Sequence, residues 1–126
     1  MAARYSEPLF VISVAARLVE MHPQTLRKYE REGLIAPSRT SGNLRLYSDE
    51  DIERLRQVKY LVETRGLNLA GVQLALELTL SLRKLRTELE NSPNGRSWKE
   101  DIDRILIELG FVDEQQVRES NRRARS

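Results

Sequence analysis

One histidine, no cysteine and a few knots of acidic residues are all that this chain of 126 residues offers to catalysis or metal binding. His22 precedes Pro23 at a helix start, where an imidazole serves as a cap or a surface side chain more readily than as a general base. Asp49, Glu50 and Asp51 fall at another predicted helix start, where the helix dipole stabilises carboxylates without any catalytic need. Glu100, Asp101 and Asp103 have the same explanation. The lack of cysteine excludes thiolate zinc, redox switching and thiol catalysis, and a single histidine excludes a histidine-rich metal site within the chain. No glycine-rich phosphate loop and no nucleophile elbow occur. The sequence reads as a non-enzyme with no cofactor and no metal.

The remaining chemistry suits nucleic acid. Gln24, Arg27, Lys28 and Arg31 fall largely on one side of a predicted helix, with Leu26 and Tyr29 on the other. Arginine and lysine can read guanine in a major groove, glutamine can read adenine, and the cations also meet phosphates. Arg39 and Arg45 follow in a predicted hairpin. The formal charge of +2, with a pI of about 9.1, permits nucleic-acid binding without requiring it. Its distribution says more: residues 17–45 carry six basic side chains against three acidic ones, whereas 67–126 carry ten of each. An ordinary solvated helix face is the plain alternative, and the surrounding elements argue against it.

Those elements are short and sharply punctuated. Ser13 is placed to cap a helix over Val14–Glu20. Pro23 suits the first position of a second helix, which Gly33 ends. Only Met21 and His22 separate the two, which predicts a helix-turn-helix. Residues 34–47 are non-helical, with Ser41, Gly42 and Asn43 as the turn of a hairpin. Ser48 and Asp51 make a capping box before Ile52, Leu55, Val58 and Val62. Leu18, Leu26, Ile52 and Leu55 are the expected core of this first part.

Gly66 and Asn68 break the chain before a helix from Leu69 to about Asn91. Ala75, Leu78, Leu82, Leu85 and Leu89 recur there at alternating spacings of three and four, an a/d seam of roughly two heptads. Ser92, Pro93, Asn94 and Gly95 form a linker. Ser97 and Glu100 then suggest a second capping box ahead of Ile102, Ile105, Leu106 and Leu109. Gly110 ends that helix, with Phe111 folding back on Leu106. Its apolar stripe fits packing on its own chain or on a dimer mate; the alternative is a docking face for a chaperone.

The expected organisation is therefore mainly α. A winged helix-turn-helix with a small β-hairpin wing occupies 10–78, a dimerisation helix 79–91, a C-terminal amphipathic helix 97–110, and a flexible tail 111–126. With 40% hydrophobic and 32% charged residues and a mean hydropathy of −0.53, the chain reads as one soluble domain. No apolar run approaches the roughly 18 residues of a membrane span, and the start lacks a signal-peptide core, so a cytoplasmic protein is expected.

Several runs resemble the MerR-type transcriptional regulators. They are Ile12-Ser13-Val14-Ala15-Ala16, His22-Pro23-Gln24-Thr25-Leu26-Arg27-Lys28-Tyr29-Glu30, Gly33-Leu34-Ile35 with Pro37, the wing from Arg39 to Ser48, and Asp51-Ile52-Glu53-Arg54-Leu55. Met21 to Arg27 and Gly66 to Val72 look most like the heat-shock repressor branch of that family. The resemblance spans roughly residues 10–80. It implies a homodimer on an inverted-repeat operator in double-stranded DNA, and repression of chaperone and protease operons, often with a DnaK-type chaperone as co-repressor. It carries DNA contacts onto Arg27, Lys28, Tyr29 and Arg45, with Lys28 standing where many relatives have tyrosine. Metal- and redox-sensing members carry cysteines absent here, and drug-sensing members a large effector domain.

The expected DNA-contacting set is thus Ser13, Gln24, Thr25, Arg27, Lys28 and Tyr29, with Arg39 and Arg45 from the wing. The expected dimer seam is Leu78, Leu82, Leu85 and Leu89. Two rival readings stand beside this one: a MerR-type regulator of other genes, and a chaperone-modulator protein on a MerR-like fold that does not bind DNA. Loss of the basic helix and wing residues would mark the second rival, and here they are present.

Overall fold

The computed structural model describes residues 5–90, 92 and 95–112. The chain divides into two compact units, one ending at Lys59 and one beginning at Tyr60.

In the first unit, strand β1 (Phe10–Val11) runs directly into helix α1 (Ile12–Leu18). Val11 is the N-cap, with an extended backbone and no side-chain cap bond. The expected Ser13 cap is therefore absent. Pairing of Phe10 and Val11 with a later strand keeps the backbone extended up to Val11, so the helix starts at once and Ser13 becomes its second residue. Glu20, at φ 55°, ends α1 with a left-handed turn in which the Met21 N–H donates to Ala16 O at 2.9 Å. That conformation costs a non-glycine residue on the order of 1 kcal/mol. Lys59 Nζ offsets it by donating to the Val19 and Glu20 carbonyls at 3.2 and 3.1 Å.

Helix α2 (Pro23–Arg31) is capped by His22, whose Nδ1 accepts from the Gln24 N–H at 3.1 Å. The lone histidine is a helix cap. At the other end Gly33 (φ 76°) turns the chain so that the Leu34 N–H donates to Tyr29 O at 2.9 Å and Leu34 is buried. Ala15 and Ala16 of α1, Val19 at its C-cap, and Leu26 and Tyr29 of α2 enter one core with Ile35, Tyr47, Ile52, Leu55 and Val58. Leu18, expected in that core, is 42% exposed, and Val19 takes the inward place.

Strands β2 (Ser38–Arg39) and β3 (Arg45–Tyr47) form the hairpin, and β1 adds on the far side of β3 as a third strand. The register sets Arg39 opposite Arg45 and Phe10 opposite Tyr47. At the tip, Asn43 (φ 64°) donates its N–H to Thr40 O at 2.9 Å, and Thr40 Oγ1 accepts from the Leu44 N–H at 3.1 Å. Helix α3 (Asp49–Lys59) starts with the expected capping box: Ser48 N–H to Asp51 Oδ2 at 2.9 Å, and Asp51 N–H to Ser48 Oγ at 3.1 Å.

Tyr47 is fully buried, and its hydroxyl has no hydrogen-bond partner among the described residues. Burial pushes its phenol pKa up, so the group stays a neutral, unsatisfied hydroxyl. Tyr47→Phe should therefore raise stability by about 1 kcal/mol, since an unpaired buried donor carries a desolvation penalty with no return. Urea denaturation of the two proteins checks this.

The second unit opens with a π-helical turn, Tyr60–Thr64. Helix α4 (Leu69–Leu89) follows, capped by Asn68 Oδ1, which accepts from the Gly71 N–H at 2.9 Å. This helix is continuous through residue 78. Helix α5 (Gly95–Glu108) begins two residues before Ser97, which places Ser97 inside the helix rather than at its cap. The helices pack together: Ile102, Leu106 and Phe111 form a buried cluster, with Leu82 and Leu89 against it. Arg86 Nη1 pairs with Asp103 Oδ1 at 3.0 Å, and the Arg83 guanidinium lies 4.5 Å from the Phe111 ring centroid. Phe111 folds back as expected, donating its N–H to Leu106 O at 2.9 Å. The rest of the expected tail, 113–126, lies outside the described residues.

Among the described residues no helix is long and apolar enough to cross a membrane, and no group of three or more His, Cys, Asp or Glu side chains could hold a metal ion.

Candidate nucleic-acid interface

Helix α2 presents its polar side as a row. Gln24, Lys28 and Arg31 recur at i, i+4 and i+7 and are exposed, with Thr25 and Arg27 half-buried beside them. Lys28 makes only a long pair with Glu32, at 3.9 Å. Arg27 and Arg31 make no hydrogen bond or ion pair among the described residues. This row can therefore meet a ligand without first breaking strong contacts. Ser13 is exposed at the start of α1.

Tyr29 departs from its expected role. It shares the Leu26 side of the helix and is 7% exposed, so its ring supports the row from the core and does not line the surface. A tyrosine three residues from a fully buried leucine follows the apolar face of the helix.

The wing arginines are tied to the recognition helix. Both reach back to Glu30 of α2: Arg39 Nη2 donates to both carboxylate oxygens at 2.9 and 3.0 Å, and Arg45 Nε donates to Oε1 at 2.8 Å. Arg39 Nη1 also donates to Asn43 O at 3.3 Å. Burial alone would raise the Glu30 pKa, but Arg45 and then Arg39 outweigh it and hold the carboxyl below its ordinary value. Glu30 is thus ionised at neutral pH. Sequence reasoning passed over it because an acid within a basic stretch looks like a solvated helix charge. The available signal was the pair of arginines that a hairpin would set side by side.

The four seam leucines separate. Leu82 and Leu89 are half-buried against α5 of the same chain, while Leu78 and Leu85 are 46% and 43% exposed. The exposed line on α4 runs Leu74, Leu78, Ser81 and Leu85, spaced four, three, four, with Leu74 57% exposed.

Two short helices joined by a tight turn, the second with a polar basic side, followed by a three-stranded sheet whose hairpin abuts that helix, define a winged helix-turn-helix domain. Comparison with known proteins agrees: residues 10–79 match the MerR HTH family of regulatory proteins, and the chain belongs to that family. The heat shock protein HspR of Streptomyces coelicolor is 52% identical over 79 residues, 63% of this chain and 52% of that protein. The chain thus spans about half the length of that relative. The HTH-type transcriptional regulator YfmP of Bacillus subtilis is 37% identical over 108 residues, 82% of this chain and 77% of YfmP. A crystal structure of the transcription regulator PbrR691 from Ralstonia metallidurans CH34, in complex with lead(II), aligns over 92% of this chain and 83% of that one, at 22% identity and a TM-score of 0.48. The family is one of regulators, not enzymes.

Proposed function

We propose that the protein is a dimeric, sequence-specific DNA-binding repressor of heat-shock and chaperone genes. The observation that carries DNA binding is the exposed row Gln24, Lys28 and Arg31 with Arg27, on the second helix of a helix-turn-helix. In that motif the second helix enters the major groove and its first turns meet base edges. Thr25 flanks the row, Ser13 meets the phosphate backbone from the exposed end of α1, and Arg45 meets it from the wing. Heat-shock genes are favoured over other targets by the similarity to HspR.

The dimer reading rests on the exposed line Leu74, Leu78 and Leu85, which has the spacing of a helix-helix seam. Two copies joined through it would bind an inverted-repeat operator in double-stranded DNA, because a two-fold protein matches a two-fold site. A DnaK-type chaperone would then act as co-repressor. The chaperone-modulator reading, without DNA, is weaker because the basic side of α2 is intact and open.

Competition binding with altered half-sites tests the assigned contacts. Arg27→Ala should lose about 1–3 kcal/mol and relax the preference at one base pair, whereas Arg45→Ala should weaken all sequences about equally. The same selectivity profile for both variants would refute the division into base and phosphate contacts.

A further inference from the structure

We infer that Glu30 is the positioning residue of the interface: it presents Arg45 to phosphate and locks Arg39 into the wing. This rests on the DNA-binding reading above, and it assigns the two wing arginines different tasks. The hairpin register places Arg39 directly opposite Arg45, and like charges facing each other across two strands push the strands apart. Glu30 lies between them and takes a hydrogen bond from each. The carboxylate therefore turns a repulsive pair into a three-membered network that joins hairpin and recognition helix.

The donors used decide the roles. Arg39 gives Nη2 to Glu30 and Nη1 to the Asn43 carbonyl at the hairpin tip, so its fork is already occupied on the protein. Arg45 gives only Nε to Glu30, and its two Nη groups have no hydrogen-bond partner among the described residues. A guanidinium fixed through Nε with both Nη groups open is set up to take a phosphate in a forked bond. Arg39 acts as a brace, and Arg45 is the residue presented to DNA.

The sign of one substitution separates positioning from simple charge. Removing an acid near phosphates should tighten DNA binding if charge alone matters. Positioning predicts the reverse: Glu30→Ala should weaken binding about tenfold, within the range for members of one ion-pair network. Arg45→Ala should lower the salt slope by about 1 per subunit, or about 2 for the dimer, in the wild-type background and leave it unchanged in the Glu30→Ala background. Without DNA, the Thr40 and Leu44 amides at the hairpin tip should exchange hydrogen faster in the variant. Glu30→Gln, which keeps an acceptor oxygen, carries the same tests if the alanine variant does not fold. Tighter or unchanged binding, or an Arg45→Ala effect equal in both backgrounds, overturns the inference. A wild-type protein that binds no DNA overturns the reading beneath it instead.

Discussion

Replacing Leu78 and Leu85 together with glutamate should give a folded monomer that has lost its operator. Both side chains lie on the exposed side of α4, whereas Leu82 and Leu89 are packed against α5 of their own chain. The double variant leaves the internal packing of the second unit intact, and Leu82→Glu would not. Burying the leucines contributes on the order of 2 kcal/mol each, and glutamates facing their copies across a two-fold axis would add repulsion. Linking two binding modules raises overall affinity by about 10²–10⁴ without a new contact, so separating the subunits should remove that factor. Sedimentation, circular dichroism and operator titration on the one variant decide the matter. A variant that stays dimeric would place the interface elsewhere, first on the side of α5 that exposes Trp98 and Ile105.

A second large effect is expected at Gly110. Its φ of 83° closes α5, and a Cβ at that position would run into the Tyr60 ring. Gly110→Ala must therefore adopt a backbone conformation that L residues avoid and also displace an aromatic ring from a packed position. Backbone strain of about 1–2 kcal/mol plus overpacking of about 1–3 kcal/mol predicts a loss near 3 kcal/mol. Thermal unfolding measures it, and Tyr60→Ala in the same background should recover part of the overpacking share. An unchanged melting temperature would mean that the turn and ring relax freely.

Local signals were legible in the sequence wherever one residue type has one physical use. The His22-Pro23 helix start, the Ser48 and Asp51 box, the Asn68 cap and the Gly110-Phe111 turn all depend on neighbours a few residues away. Ser97 is the exception, a local box signal that falls inside α5, and the rest of what was missed depends on partners far along the chain. Strand β1 is two residues long and exists because Phe10 finds Tyr47, and that pairing is what displaced the cap from Ser13 to Val11. The heptad spacing of α4 showed that its leucines share a stripe, but spacing does not say which edge of the stripe a neighbouring helix will cover. Helix α5 takes Leu82 and Leu89 and leaves Leu78 and Leu85. At the interface, the basic row on α2 followed from helical periodicity. The central place of Glu30 needed the hairpin register, because only the folded wing brings Arg39 and Arg45 to one carboxylate.

If this winged helix-turn-helix binds DNA through cations meeting phosphates, the binding of the wild-type protein must depend strongly on salt. Each neutralised phosphate releases condensed counterions, so affinity must fall steeply as salt rises. For a dimer that engages roughly 6–10 phosphates, titration of a labelled duplex should show affinity falling about 10³–10⁵-fold between 50 and 200 mM salt. A flat salt response, or no binding at 50 mM salt, would contradict DNA binding through cation–phosphate contacts.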